Sequence, residues 1–235
     1  MKKNSEVDYE GLERLVEFQS EQGVSGVLAV GTTGESPTLT WEEHIEVIRK
    51  VHELSKERFL TIGGTGSNNT HESLEATREV SDFGVKCVLL VDPYYNGPSS
   101  LEIRKEYVEP IAREFPHIQI IPYVIPGRSG TQLLPQDLAI LHSQFENVRA
   151  VKEATGNFEN MRLTRRLCGE DFDILSGDDD KTYNMMKDPQ IGASGVISVA
   201  SNVAPGTVQR FVQAALEGNM EESERLYNAL KPLFS

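Results

Sequence analysis

Short apolar runs alternate along the chain with longer stretches in which apolar residues recur at helical spacing. The runs are rich in Val, Ile and Leu, as in strands that are buried on both faces. They predict seven β-strands, at residues 24–30, 59–63, 87–92, 118–123, 148–153, 172–176 and 194–199. The longer stretches predict amphipathic helices near residues 8–22, 41–55, 70–83, 100–115, 135–144, 158–169, 179–188 and 205–217, with a last helix that starts near Met220.

This regular alternation of strand and helix is typical of a parallel sheet covered by helices. For 235 residues in a single domain, 1–235, seven strands predict an α/β fold of the (β/α)8 type, the TIM barrel. A doubly wound dinucleotide-binding sheet is disfavoured because no Gly-x-Gly-x-x-Gly turn follows the first strand. The nearest match, at residues 63–68, lacks the third glycine, and we interpret it as a strand-to-helix turn with Thr70 as the helix N-cap.

Composition and charge argue against several classes of partner and site. The formal net charge is −13 and no basic cluster offsets it, which argues against binding to nucleic acid. No apolar run approaches the ~20 residues of a membrane-spanning helix, and residues 1–6 lead into no signal-peptide core. The two cysteines, Cys87 and Cys168, lack Cys-x-x-Cys spacing, so neither a disulfide framework nor a zinc site is indicated. We therefore expect a cytoplasmic protein.

The strongest chemical signal is Lys152, at the carboxyl end of the strand predicted at 148–153. Alternation along a strand places its side chain on the same face as Val148 and Ala150, so an interior face would remove the ammonium group from water. Burial disfavours the charged form and lowers the pKa, and the neutral amine can then attack a carbonyl to form a Schiff base. The alternative is a lysine whose ammonium group reaches solvent at the strand end.

Other polar residues also follow predicted strands, where barrel enzymes build their active sites. Residues 31–36, Gly-Thr-Thr-Gly-Glu-Ser, offer free N–H groups near a helix start, which suits a small carboxylate or simply caps the helix. Tyr94 and Tyr95 follow the third strand and Tyr123 ends the fourth. A tyrosine near a catalytic lysine can shuttle a proton, whereas an isolated one is usually an aromatic residue at the edge of the core.

Two charged segments complete the candidates. Arg128 lies on a glycine-flanked loop, where it can bind a substrate carboxylate through two hydrogen bonds or remain a solvated surface charge. Residues 178–180 are three consecutive acids. Because they lack spaced partners, we interpret them as a solvated helix start and not as a metal site.

Five motifs occur in order: Gly-Thr-Thr-Gly-Glu-Ser from 31, Pro-Tyr-Tyr-Asn from 93, Tyr-Val-Ile-Pro-Gly-Arg-Ser-Gly from 123, Val-Lys-Glu-Ala-Thr-Gly-Asn from 151 and Ser-Gly-Asp-Asp from 176. Together they resemble the dihydrodipicolinate synthase family over residues 8–234. The resemblance implies a class I aldolase that condenses pyruvate with L-aspartate 4-semialdehyde through a Schiff base. The product would be 4-hydroxy-tetrahydrodipicolinate, on the route to diaminopimelate and lysine. Neither a metal nor another cofactor is implied.

The resemblance also implies roles for individual residues. Lys152 would form the Schiff base, and Tyr123 would be the general acid-base. Tyr123 would be coupled through Thr32 to Tyr95. Substrates would be bound by Thr32 and Thr33 at the pyruvate carboxylate, by Arg128 at the aldehyde's carboxylate, and by the carbonyls of Gly177 and Ile197. Because the tyrosine at the Tyr95 position reaches into a neighbouring subunit in this family, the resemblance implies a homo-oligomer, a tetramer by family expectation.

A regulatory site is implied in the same way. In lysine-regulated relatives a feedback site at a subunit interface is built partly from residues that match Ser36, His44, Asn68, Glu72 and Tyr94. Pro37 and Trp41 replace residues that are common in some lysine-sensitive members. A polar interface without a ligand is the alternative.

The chain also departs from the family pattern. The family has a strand before the helix that starts near Asp8, and residues 1–7 are too few and too polar to supply it. We therefore expect a barrel that lacks its first strand and its C-terminal helical extension. Two other functions remain open at this point: a sister lyase, such as N-acetylneuraminate lyase or a 2-keto-3-deoxy sugar acid aldolase, and an inactive fragment that acts as an interaction protein. Arg128 favours the synthase, because sugar-acid lyases of the family generally lack it.

Overall fold

The computed structural model describes residues 1–55 and 58–234. The strands of the described part are β1 Gly26–Ala29, β2 Leu60–Gly64, β3 Cys87–Val91, β4 Gln119–Val124, β5 Ala150–Glu153, β6 Asp173–Ser176 and β7 Gly195–Val196. Each one overlaps a predicted strand. The prediction for β7 was too long, because the strand ends at Val196 and the chain then leads into a 3-10 turn at Ala200–Asn202.

Helices follow the strands as the sequence predicts. They are α1 Tyr9–Glu21, α2 Trp41–Ser55, α3 Thr70–Asp82, α4 Ser100–Glu102, α5 Glu109–Glu114, α6 Pro126–Ser129, α7 Pro135–Gln144, α8 Phe158–Cys168, α9 Asp179–Lys187, α10 Pro205–Leu216 and α11 Met220–Leu230. In the described residues no helix is both long enough and apolar enough to cross a membrane.

The helix predicted at 100–115 is not continuous, because a π-helical segment, Ile103–Val108, separates α4 from α5. Pro110 explains the change: it has no N–H to donate to the carbonyl of Glu106, and its ring would collide with that carbonyl in an α-helix. The carbonyl of Glu106 instead accepts a hydrogen bond of 2.9 Å from Thr70 Oγ1. Thr70 is therefore not the N-cap of α3; Asn69 is, and its side chain accepts from His71 N.

The strands form one parallel sheet in the order β1 to β7, each paired with the next, and the sheet curls into a half-barrel. Its concave side holds an apolar cluster that includes Leu89, Ile121 and Tyr123, and its convex side packs against the helices. Ala150 belongs to the concave cluster, as alternation from Lys152 predicts. Val148 does not; it lies in the cluster under the helices, because β5 begins only at Ala150.

The two ends of the sheet are joined by side chains and not by strand pairing. Gln19 Nε2 in α1 donates to the carbonyl of Ser201 over 2.9 Å, and Ser25 Oγ and Gln209 Oε1 lie 3.4 Å apart. Within the described residues the sheet has seven strands, with β1 and β7 at its edges. The α/β half-barrel is thus established, and the complete (β/α)8 barrel stays a prediction.

Candidate functional site

The carboxyl ends of β4, β5 and β6 bring Lys152 and Tyr123 together inside the sheet. Lys152 pairs in register with Tyr123 on one side and with Leu175 on the other. It is only 7% exposed, and its Nζ lies 4.0 Å from the centroid of the Tyr123 ring. Its Nζ makes no hydrogen bond or ion pair with any described residue. Lys152 is therefore buried without a partner that would fix its charge.

Burial lowers the pKa of Lys152 to about 8, against the opposing effect of the negative charges of Asp178 and Asp179. The positive charge of Arg128 lowers the pKa further. A lysine with this pKa is partly neutral near pH 7, whereas an ordinary lysine is fully charged. The expectation of a desolvated lysine is confirmed by its burial, and its role as a nucleophile stays a prediction.

Gly177 makes room for this lysine. A β-carbon at position 177 would lie 3.2 Å from Lys152 Cε and 2.8 Å from Ala154 Cβ. The Gly177 N–H donates to the carbonyl of Glu153 over 2.8 Å, which continues the pairing between β5 and β6 past the end of β6. Gly177, expected to bind substrate through its carbonyl, thus also borders the stem of Lys152.

Tyr123 is buried and is linked to the turn that follows β1. Burial raises the pKa of the Tyr123 hydroxyl, whereas the charge of Arg128 lowers it; Asp178 raises it, and a hydrogen bond with Thr32 lowers it. Thr32 begins a 3-10 turn, Thr32–Gly34, and Thr33 is its exposed second residue. The structure therefore brings Lys152, Tyr123 and Thr32 to one place, with Thr33 beside them in sequence.

Tyr95 is not brought to Thr32 within the chain. Its side chain is 90% exposed, and its backbone is left-handed, with φ of 82°. Such a backbone costs a residue with a β-carbon on the order of 1–3 kcal/mol, and it is found where the surrounding structure requires it. Here the Tyr95 N–H donates to the carbonyl of Ser129 over 3.4 Å. The role of Tyr95 in a neighbouring subunit stays a prediction.

Arg128 and Ile197 lie on either side of the lysine. Arg128 is exposed in α6, and its charge acts on both Tyr123 and Lys152. Ile197 packs against the concave cluster, and its N–H donates to the carbonyl of Ser176 over 2.9 Å. The charge of Arg128 thus acts on the lysine, and Ile197 lies on the concave side of the sheet; their roles in substrate binding stay predictions.

The acids at 178–180 form the helix start that the sequence predicts, as the N-cap and first two residues of α9, but of the three only Asp180 is exposed. Asp179 accepts hydrogen bonds of 2.9 Å from the N–H groups of Val199 and Ala200, so that it ties α9 to the segment after β7. Asp178 is partly buried, and its charge reaches Lys152 and Tyr123. Their position directly after β6 was the available signal, because that is where side chains enter a barrel's site.

Two further buried acids escaped the sequence analysis. Asp92, 1% exposed at the end of β3, accepts a hydrogen bond of 2.9 Å from Leu133 N, and burial raises its pKa to about 8. Glu153, next to Lys152, is 5% exposed, and burial raises its pKa to about 7. The negative charge of Glu153 also raises the pKa of Asp92. The two desolvated carboxyls therefore act on each other.

Comparison with known proteins decides the family. The model of the dihydrodipicolinate synthetase family matches residues 1–235. The chain belongs to this family. A curated relative, the 4-hydroxy-tetrahydrodipicolinate synthase of Sulfurihydrogenibium sp. (strain YO3AOP1), is 43% identical over 232 residues, which are 99% of this chain and 78% of the relative.

Solved structures of the dihydrodipicolinate synthetase family share the fold. The crystal structure of dihydrodipicolinate synthase from Aquifex aeolicus matches with a TM-score of 0.94 and 41% identity, over 99% of this chain and 78% of that one. The enzyme from Cyanidioschyzon merolae, whose structure has lysine bound, matches with a TM-score of 0.92 and 36% identity, over 98% and 76% of the two chains. The family resemblance read from the five motifs is confirmed.

The residues implied in lysine regulation lie at separate places in the chain. Asn68 and Tyr94 line a cavity of about 390 Å³, whereas Glu72 lines a groove of about 200 Å³ beside Trp41. His44 is 3% exposed, and its Nε2 lies 2.5 Å from the carbonyl of Gly64. Ser36 is partly buried at the start of a 3-10 turn, Ser36–Thr38.

One chain therefore does not gather these five residues into a single pocket. Burial lowers the pKa of His44, which keeps its ring neutral at neutral pH.

Over residues 1–55 and 58–234, no three His, Cys, Asp or Glu side chains are grouped so that they could hold a metal ion.

Proposed function

We propose that the protein is a 4-hydroxy-tetrahydrodipicolinate synthase, a class I aldolase that condenses pyruvate with L-aspartate 4-semialdehyde. The observation that carries this proposal is the buried Lys152, which has no ion-pair partner among residues 1–55 and 58–234 and lies against Tyr123. A lysine with a lowered pKa is what imine chemistry needs, because only the neutral amine attacks a carbonyl.

In the first half of the reaction, the neutral amine of Lys152 attacks the keto carbon of pyruvate and water leaves, which gives an imine. The protonated imine draws electrons from the neighbouring methyl group. A proton therefore leaves that methyl group and an enamine forms. The enamine is the carbon nucleophile of the second half.

In the second half, the enamine attacks the aldehyde carbon of L-aspartate 4-semialdehyde, a carbon–carbon bond forms, and the aldehyde oxygen becomes an alkoxide. Tyr123 would supply the proton that this oxygen takes. Burial raises the pKa of Tyr123, so the hydroxyl holds its proton until a strong base such as the alkoxide takes it. Thr32, hydrogen-bonded to Tyr123, would direct that proton.

Substrate binding would follow the same geometry. We assign the pyruvate carboxylate to the hydroxyls and N–H groups of Thr32 and Thr33, and the second carboxylate to Arg128. The carbonyls of Gly177 and Ile197 would line the pocket beside the lysine. The electrostatic effect of Arg128 on Lys152 supports its place at the mouth of this pocket.

We also propose that the protein acts as a homo-oligomer, a tetramer, in the cytoplasm. Tyr95 supports the oligomer: an aromatic side chain that is 90% exposed on a left-handed backbone suits a residue whose partners are on another chain. Lysine would bind between subunits, where Ser36, Asn68, Glu72 and Tyr94 of two chains can meet. The relative with lysine bound supports a lysine site of this kind.

We propose in addition that the half-barrel is part of a (β/α)8 barrel, whose further strand would pair with β1 and β7. The hydrogen bonds that join α1 and Ser25 to the segment after β7 support this closure, because they hold the two edges of the sheet near each other. A strand between two free edges would satisfy the exposed backbone groups of both.

Borohydride reduction in the presence of pyruvate tests the proposed function. An imine on Lys152 would be reduced to a stable secondary amine, and peptide mass analysis would locate it. We expect the label on Lys152, and its loss in Lys152→Ala together with loss of turnover. A label on another lysine, or none in the wild type, would contradict the proposal.

A further inference from the structure

The glycine-rich segment at the end of β2 lies directly against the chain that leaves β1. The last residue of β1, Ala29, pairs in register with Gly63, and the contact continues at Gly64. A β-carbon at Gly64 would lie 2.5 Å from the carbonyl oxygen of Val30 and 3.1 Å from that of Ala29. Both are backbone atoms, which cannot rotate aside as the end of a side chain can. Only a glycine therefore permits this close approach of two backbones.

Val30 makes this contact from a backbone conformation that is rare for its residue type. Its φ is 58°, in the left-handed region, where a β-branched residue is an outlier. Such a conformation persists where the surrounding structure requires it, and the Val30 side chain is buried in the apolar cluster under the helices. Gly31 follows with an extended backbone, and Thr32 then begins the 3-10 turn Thr32–Gly34. Val30 is thus the residue at which the chain leaves β1 for the turn.

Gly64 is held from two other sides, so it cannot retreat from Val30. His44 in α2 donates from Nε2 to the carbonyl of Gly64 over 2.5 Å. Two positions along, a β-carbon at Gly66 would collide with the backbone nitrogen of Val91, so the segment also lies against the end of β3. An atom added at Gly64 would therefore displace the carbonyl of Val30, and with it the turn that follows.

The turn after Val30 reaches the reacting groups through Thr32. Thr32 is hydrogen-bonded to Tyr123, and the ring of Tyr123 lies 4.0 Å from Lys152 Nζ. Lys152 itself is on β5, which is separated from β1 by three strands of the sheet. A shift of Val30 would therefore move Thr32 and Thr33 relative to a lysine that keeps its own place.

We propose that Gly64 is a positioning residue for pyruvate: through the carbonyl of Val30 it sets where the Thr32–Thr33 turn stands relative to Lys152. This inference rests on the proposed function, which assigns the pyruvate carboxylate to that turn. Hydroxyls and N–H groups bind a carboxylate only when they are aimed at it, and the reacting carbon must at the same time lie within reach of the amine. Gly64 acts through Val30 and does not itself contact the substrate.

The test measures borohydride trapping over a series of pyruvate concentrations in Gly64→Ala and in a matched control, Gly63→Ala. At Gly63 an added β-carbon would make only ordinary contacts, the nearest with Ile48 Cγ2 at 3.4 Å. In Gly64→Ala we expect half-maximal trapping to need roughly tenfold more pyruvate, because the methyl group displaces the turn. Gly63→Ala should leave this concentration unchanged. The pH midpoint of trapping should stay at its wild-type value in both variants, because neither methyl group touches Lys152.

If Gly64→Ala does not fold, His44→Leu takes its place, because it releases the Gly64 carbonyl without adding an atom at the contact. His44→Gln keeps an N–H donor and should bring the half-maximal concentration back toward the wild-type value.

An unchanged half-maximal concentration in the variant that folds, or an equal rise in Gly63→Ala, would overturn the inference. So would a pH midpoint shifted toward the ordinary lysine value, because it would show that the substitution opens the whole pocket to water. Failure of the proposed function would look different, since the wild type itself would then not trap pyruvate.

Discussion

Gly177 lies directly against the side chain of Lys152: a β-carbon at position 177 would be 3.2 Å from Lys152 Cε. That distance is shorter than the ~3.5–4.0 Å at which two carbon atoms pack best. On its other side the same β-carbon would meet Ala154 Cβ at 2.8 Å. Position 177 in the Ser-Gly-Asp-Asp motif therefore needs a glycine, because a larger residue would collide with the side chain of Lys152.

Gly177→Ala should displace Lys152 and slow its reaction with pyruvate. We expect borohydride trapping to be at least about tenfold slower, since misplacement of a reacting group by ~1 Å costs on the order of 100-fold in rate. Gly127→Ala is the matched control, because a β-carbon there meets no atom within 4 Å. Equal trapping rates in the two variants would mean that the lysine moves aside freely.

The pH dependence of trapping should report the pKa of Lys152. Imine formation requires the neutral amine, so its rate should rise with pH and level off above about 8, the pKa to which burial lowers this lysine. The measurement is the initial rate of pyruvate trapping between pH 6 and pH 10. A midpoint near the ordinary lysine value of about 10.4 would show that Lys152 is solvated.

Asp92 should make the protein less stable at alkaline pH. Its pKa is raised to about 8, so the folded state keeps a proton that the unfolded chain releases near pH 4. The stability that this proton adds is complete in acid and is lost as the pH rises through about 8. Asp92→Asn has no charge to bury and keeps an acceptor for Leu133 N. It should be more stable than wild type at pH 9, by on the order of 2–3 kcal/mol.

Urea unfolding at pH 6 and pH 9 checks this expectation. Glu153 titrates in the same range, so Asp92→Asn should reduce the difference between the two pH values without abolishing it. Asp171→Asn, an exposed acid, serves as the control. If the wild type and Asp92→Asn lose equal stability between pH 6 and pH 9, Asp92 is not the acid responsible.

Arg165 should be essential for stability although no acid in the described part of the chain pairs with it. It is 6% exposed, and it donates to the backbone carbonyls of Gly169, Glu170, Phe172, Ile191 and Gly192. Arg165→Met leaves these carbonyls without a donor, and we expect a loss of about 3 kcal/mol or more in the free energy of unfolding. Arg166→Met, at the exposed neighbouring position, should cost little. A loss below 1 kcal/mol would indicate that water replaces the guanidinium.

Lysine should inhibit partially at millimolar concentration, and Glu72→Ala should relieve the inhibition. Glu72 accepts a hydrogen bond of 2.6 Å from Ser67 Oγ, which fixes its carboxylate for an ammonium group. Glu79→Ala removes another acid from the same groove and should leave inhibition unchanged. An activity curve of the oligomer that stays flat with added lysine would remove the regulatory proposal.

Periodicity alone located the strands, because a buried parallel strand needs an apolar run whatever its neighbours are. The same alternation placed Lys152 and Ala150 on one face. It failed at Val148, where the strand had not yet begun, and at residues 103–108. There the backbone depends on Pro110 and on Thr70, a residue of another helix that no local pattern connects to it.

The site was predictable where a motif stands at a strand end, as with Lys152, Tyr123 and Thr32. The burial of Asp92 and Asp178 could not be predicted, because acidic residues are mostly exposed in proteins. Whether such a residue is desolvated depends on elements far along the chain. Asp92 meets Leu133, which belongs to the loop after β4. The predicted role of Tyr95 cannot be seen within one chain for another reason: its predicted partners would be on a second chain.

The hydrogen bonds that join the two ends of the half-barrel can form only late in translation. Gln19 and Ser201 are 182 positions apart, and Ser25 and Gln209 are 184 apart. At ~5–20 residues per second, the first turns of the nascent polypeptide wait roughly 10 to 40 s before these partners are synthesised. Helix α1 therefore makes its contacts with the segment after β7 last. The speed of translation sets how long the surface of α1 that makes these contacts stays accessible to chaperones.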